Sequence, residues 1–172
     1  APDRAMEFLT TAIQVYRDRN HRQGEAHCLR LGGEAARLEG ALDVAEQRFR
    51  RAQRIYTRAG SELAADCRLG RARLALARGD TAESTRLMHA AGGGQAPRFQ
   101  LRARAAALAL AIAASRGDWD GFDIAFADLG RLLIPSGLQL VEVQDLVTGA
   151  AHEAAAAGQR GRAARVRAII EP

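Results

Sequence analysis

Lysine is absent from this chain of 172 residues: all 25 of its basic residues are arginine. That removes three kinds of chemistry at once. A Walker-type phosphate loop, a Schiff-base lysine and a lysine general base all need an amine that no side chain here supplies. The arginine usage itself matches codon bias in a GC-rich bacterial genome. Aromatic residues reach only 5%, too few for a β-sandwich or barrel, which draws on β-branched and aromatic side chains. Their scarcity also leaves no basic stripe alternating with rings on which bases could stack. Two cysteines, Cys28 and Cys67, do not imply an oxidising compartment. The longest uncharged run, Ala105 to Ser115, falls far short of the ~20 residues a membrane span needs. The opening residues lack the charged, apolar, small order of a leader peptide.

What is abundant is alanine, within a hydrophobic fraction of 48% and a charged fraction of 26%. This is a globular composition, suited to helices packed closely through small side chains. The formal charge of +5 comes from arginines interleaved with 20 acids, as in Arg30–Glu34–Arg37 and Glu46–Arg50. Solvated helix faces have this pattern, so neither nucleic acid nor membrane is expected as a partner.

Gly40, Gly79, Gly117 and Gly158 recur about 40 residues apart, each closing an Ala/Leu/Arg-rich stretch. Such a period with helical signal on both sides predicts stacked helical hairpins. The clearest internal match aligns Leu9, Ala12, Tyr16 and Asn20 with Phe49, Ala52, Tyr56 and Gly60, and Val15 with Ile55. Spacings of three and four put the first three members on one helix face. The fourth is a residue type that ends a helix in the left-handed conformation. Ahead of the second helix, Leu29, Gly33 and Ala36 recur at helical spacing. The third block repeats the plan with Leu69, Ala72 and Ala75, then Ser84, Met88 and Ala91. In the fourth, Ala103 to Arg116 precedes Phe122, Phe126 and Leu129. The last runs Leu146 to Ala157 and closes around Ala163 to Ile170. Gly92-Gly93-Gly94 with Pro97 predicts a connecting joint, and Ile134-Pro135-Ser136-Gly137 a turn.

In these residues the chain resembles tetratricopeptide repeats, whose hairpins carry Leu-Gly on the first helix and Ala, Phe and Ala on the second. Leu29, Gly33, Ala36, Ala45, Phe49 and Ala52 fit that pattern or its small-residue variants. The spacing exceeds the standard ~34 residues and is similar to the longer repeats of large bacterial regulators. The resemblance implies an all-α fold, a right-handed superhelical solenoid of stacked antiparallel helical hairpins. Residues 1–172 form one such domain. The rows open on Ala-Pro-Asp inside a repeat, as expected of a piece of a larger protein.

The resemblance also implies a function: a cytoplasmic scaffold that binds a peptide, a partner protein, a neighbouring domain or a second copy of itself. The first helix of each hairpin would line a concave groove. That face would carry His27, Arg30, Glu34 and Arg37, then Asp66 and Arg73, then Arg104, and finally Asp145 and His152. Family members that grip a terminal carboxylate use lysine and asparagine. Here lysine is missing and the single asparagine is Asn20, so that clamp is not carried over. The arginines Arg30, Arg37, Arg73 and Arg104 remain, able to hold an acidic partner bidentately or to pair with Glu34 and Asp66. A regulatory sensor taking a small ligand between hairpins is the alternative.

Other motifs read as structural. Arg78-Gly79-Asp80 and Arg116-Gly117-Asp118 spell an integrin-binding tripeptide, but glycine would end one helix and aspartate cap the next. Cys28 and Cys67 hold equivalent places on neighbouring hairpins, roughly 8–10 Å apart by helix packing. A disulfide needs Cα atoms within about 7 Å, so both read as buried thiols. His21, His27, His89 and His152 form no ligand cluster, and no metal or cofactor is expected. Asp118, Asp120, Asp123 and Asp128 surround Trp119 but lack the glycine and closing glutamate of a calcium loop. First-turn acids suit a helix dipole. No nucleophile motif is present, and no catalytic residue is expected.

Overall fold

The computed structural model describes residues 2–92, 98–133 and 141–170. Gly93, Gly94 and Pro97 of the expected joint, and the expected turn at Ile134-Pro135-Ser136-Gly137, lie outside the described residues. Nine helices and no strand are found among those described: α1 (Pro2–Asp18), α2 (Arg22–Leu38), α3 (Leu42–Arg58), α4 (Leu63–Ala77), α5 (Thr81–Ala90), α6 (Phe99–Arg116), α7 (Trp119–Leu133), α8 (Val141–Ala156) and α9 (Arg160–Ile170). The chain is all-α. Its backbone contacts gather into two compact units, Ala1–Asp80 and Thr81–Pro172.

The helices end where the sequence predicts. Asn20 and Gly60, the matched fourth members, have φ of 54° and 61°, and Gly40, Gly79, Gly117 and Gly158 are also left-handed. Only glycine enters this region without strain, with asparagine next best. Each turn is closed by the same bond, in which the amide after the left-handed residue donates five residues back. His21 donates to the Tyr16 carbonyl at 2.8 Å, Ser61 to Tyr56 at 2.9 Å, and Asp118 to Ala113 at 3.0 Å. This is the Schellman arrangement, which satisfies carbonyls left over at a helix end.

In the first unit each helix packs on the next, and α2 also touches α4. The core centres on Phe49 of α3, which is 1% exposed. A Cβ at Gly33 of α2 would lie 3.0 Å from its ring, and one at Gly70 of α4 only 2.7 Å. Two helices therefore approach one phenyl ring through residues without side chains. Ala45 and Ala52, fully buried one turn either side, let α3 sit equally close.

The sequence match of Tyr16 with Tyr56 does not extend to equal burial. Tyr56 is 2% exposed, whereas Tyr16 is 37% exposed. The Tyr16 ring lies against His21, with centroids 5.3 Å apart, and above Gly24. The difference follows from packing partners: α3 has helices on two sides, whereas α1 packs on α2 alone among the described residues.

In the second unit α6 packs against α5, α7 and α8, and α9 against α8. Its sequence is apolar around most of its circumference, with Leu101, Ala103, Leu108, Leu110 and Ala114 all buried. A helix hydrophobic on all sides belongs in the centre of its unit. Phe122 and Leu129 from α7, Val143 and Val147 from α8, and Val166 from α9 complete that core.

Candidate functional site

Helical spacing places His27, Arg30, Glu34 and Arg37 along one stripe of α2, and Asp66 and Arg73 along one of α4. The two stripes meet. Glu34 accepts from Arg37 Nε at 3.0 Å and from an Arg73 guanidinium nitrogen at 3.2 Å. Arg73 is drawn in until 8% exposed. Charge-assisted pairs of this kind hold direction as well as position. They join α2 and α4 side by side. They also engage both arginines through Glu34, so this part of the face is not a row of open guanidinium groups.

Deeper in the same face, Arg30 Nε and the Tyr56 hydroxyl are buried without a hydrogen bond of good geometry. Burial pushes the Tyr56 pKa up, and the Arg30 charge pulls it the other way. Burial also raises the Cys67 thiol to about 12, with Arg30 again the main opposing charge. Cys28 and Cys67 are both free and buried, as their spacing predicts. His27 stands exposed at the edge of the stripe. Arg104 of α6, half-buried, and Asp145 and His152 of α8, exposed, belong to the second unit.

Sequence reasoning missed the most heavily engaged acid. Glu25 of α2 is fully buried and accepts from Arg51 of α3 at 2.6 Å, Arg22 at 3.2 Å and Arg17 of α1 at 3.3 Å. Burial works to raise its pKa, but the three guanidiniums, Arg51 foremost, outweigh it and hold the carboxyl below the usual range. One signal was available: Glu25 stands beside Ala26 at the margin of the buried stripe of α2. Arg48 of α3 donates to the Gly32 carbonyl at 3.0 Å. Arg71 of α4 bridges Glu46 at 2.9 Å and Gln53 at 3.1 Å. Arginine thus stitches every adjacent helix pair in this unit.

The acids around Trp119 separate into local roles. Asp118 accepts the Gly121 amide at 2.9 Å, capping α7. Asp128 pairs with Arg131. Asp123 takes Arg162 and Arg165 of α9, each at 2.7 Å. Hydrogen bonds from Arg162, more than any other cause, hold the Asp123 carboxyl below the usual range. Arg162 also lies 5.9 Å over the Trp119 ring. Among the described residues no group of three or more His, Cys, Asp or Glu side chains could hold a metal, and no helix is long and apolar enough to cross a membrane.

Neither a protein-family model nor a curated protein matches this chain. Its functional reading rests on its own residues.

Proposed function

We propose that the chain is a non-catalytic interaction module of tetratricopeptide type, a right-handed solenoid of hairpins within a larger cytoplasmic regulator of a bacterium. Its partner is a peptide or protein with acidic character. The Glu34–Arg73 contact carries this reading: it holds α2 and α4 beside one another, as a binding face shared between them requires. The Gly33–Phe49–Gly70 packing supports it as well, because Gly33, which fits the family pattern, is one of the two glycines that admit the ring.

Arg37 and Arg73 hold the hairpins together through Glu34, so His27 and Arg30 are the residues through which recognition is tested. Peptides selected from an acid-rich displayed library on the immobilised chain should lose binding to a His27→Glu, Arg30→Glu variant of unchanged helicity. Selected peptides that hold the variant as tightly as the parent would move the interface to another face. Generic duplex DNA, titrated at two salt concentrations, should bind weakly. Tight binding with a steep salt dependence would replace this reading with a nucleic-acid one.

A further inference from the structure

Two helix pairs share one register. Laying Gly40 on Gly117 brings Arg22 onto Phe99 and Leu42 onto Trp119, the first residues of α2, α6, α3 and α7. In α2–α3 the groove between the helices is filled by the chain itself: Arg48 crosses to the Gly32 carbonyl and Arg51 to Glu25. In α6–α7 the place of Arg48 is taken by Ala125 and that of Gly32 by Ala109. The charges are reversed too. Arg102 stands where Glu25 stands, and Asp128 where Arg51 stands.

With its filler gone, the α6–α7 groove opens into a cavity of about 490 Å³, whose lining includes Met88 and His89 of α5. That volume lies in the range of small-molecule sites. Ala105, Ala109 and Ala125 form an apolar wall, and Ile124, 66% exposed, stands at the lip. Asp128 does not mirror the Glu25 pairing, because it is bound to Arg131. Arg102 lines the cavity with its Nε buried and without a hydrogen-bond partner. A buried guanidinium donor left unpaired is costly, and a carboxylate is the group that best relieves it.

We infer that this cavity binds a small apolar molecule bearing one carboxylate, its apolar body along the alanine wall and its carboxylate on Arg102. Glu25 is an acid whose cations come from the chain; Arg102 is a cation whose acid comes from outside. A monoanion fits better than a phosphate or a dicarboxylate. Among the described lining residues, Arg102 is the guanidinium without an acidic partner, since Arg131 is engaged by Asp128.

The test is a calorimetric titration of the whole chain with decanoate and with decanol, both below micelle formation, alongside thermal melting. Decanoate should bind saturably and at least tenfold more tightly than decanol, the difference expected of one charge-assisted contact. Arg102→Leu should erase that preference and leave decanol binding in place. Ala109→Phe, which fills the cavity, should abolish both. Should that variant lose helicity, Ile124→Glu at the exposed lip takes its place and should repel decanoate selectively. Equal binding of the two ligands by the parent overturns the proposal, as does a carboxylate preference that survives Arg102→Leu. Undiminished binding by a folded cavity variant would do the same, showing that the ligand sits on another patch or that a protein side chain is the natural occupant.

Discussion

In α2–α3 the space between paired helices is occupied by arginines whose charge is taken up by Glu25 and the Gly32 carbonyl. In α6–α7 Ala125 stands in place of Arg48 and Asp128 in place of Arg51, and the space is open. The contrast extends to the core. Phe49 fits between Gly33 and Gly70, whereas Leu110 stands at the place of Gly33, and Phe126, at the place of Phe49, is only half-buried under Arg165. Phe122, one turn earlier, enters the core instead. Both pairs nonetheless begin and turn at matching residues. Register is therefore set by the glycine turn, a backbone property, while the groove is free to vary. A repeat can change its chemistry without changing its geometry.

The strongest way to break this comparison is to remove the ring that the first pair, and not the second, buries at this register position. Phe49→Ala should cost ~3–5 kcal/mol, read from urea unfolding, because it empties a site walled by backbone that cannot collapse inward. An unchanged midpoint would mean that the glycine-lined packing is not what holds the first unit together.

Glu25→Ala comes next, at about 2–3 kcal/mol, discounted from a fully buried pair because Arg17, Arg22 and Arg51 each keep part of their hydration. The parent should also show an acid dependence that the variant lacks. The folded carboxyl titrates below its usual range, so the unfolded chain binds more protons there and stability rises with pH. The contribution is complete above the ordinary glutamate pKa and is lost as pH falls through the lowered one. Equal acid slopes in parent and variant would remove Glu25 as the cause.

Gly70→Ala should cost about 1–3 kcal/mol, since its Cβ would meet the Phe49 ring at 2.7 Å. A Phe49→Leu background should recover part of the loss, a coupling that a double-mutant cycle measures directly. Additive costs would show that the two residues do not meet. Smallest is Gly117→Ala, at ~1 kcal/mol. Its Cβ would meet nothing within 4 Å, so only the left-handed backbone, φ 67°, opposes it. Gly40→Ala should match it, and a large difference between the two turns would undo the shared register.

The turns were readable because their cause is local: a residue able to adopt the left-handed conformation follows each of these helical stretches at a regular interval. The burial of Phe49 and Ala52 was readable for the same reason, from spacing along one helix. Tyr16 shows where that stops. Its sequence environment copies that of Tyr56, but exposure depends on how many helices pack around α1, which no local pattern records. The ion pairs were harder still. The sequence leaves Arg37 and Arg73 either open to an acidic partner or paired with Glu34, and only the approach of α4 to α2 decides between them. Glu25 and Arg102 become visible only when Gly40 is laid on Gly117 and the two charges are compared at one position. The acids near Trp119 resemble a cluster in sequence, yet Asp118, Asp123 and Asp128 each turn to different partners.

Cys67 gives the first unit a clock. Alkylating reagents attack the thiolate, and this sulfur is both enclosed and held protonated, its pKa pushed to about 12 by burial. Modification must therefore wait for the helices around it to part. When reclosing is fast relative to the chemistry, the labelling rate divided by that of a free thiol gives the fraction of molecules open at any instant. The chain thus carries its own reporter of breathing in native buffer, with no dye, denaturant or added residue.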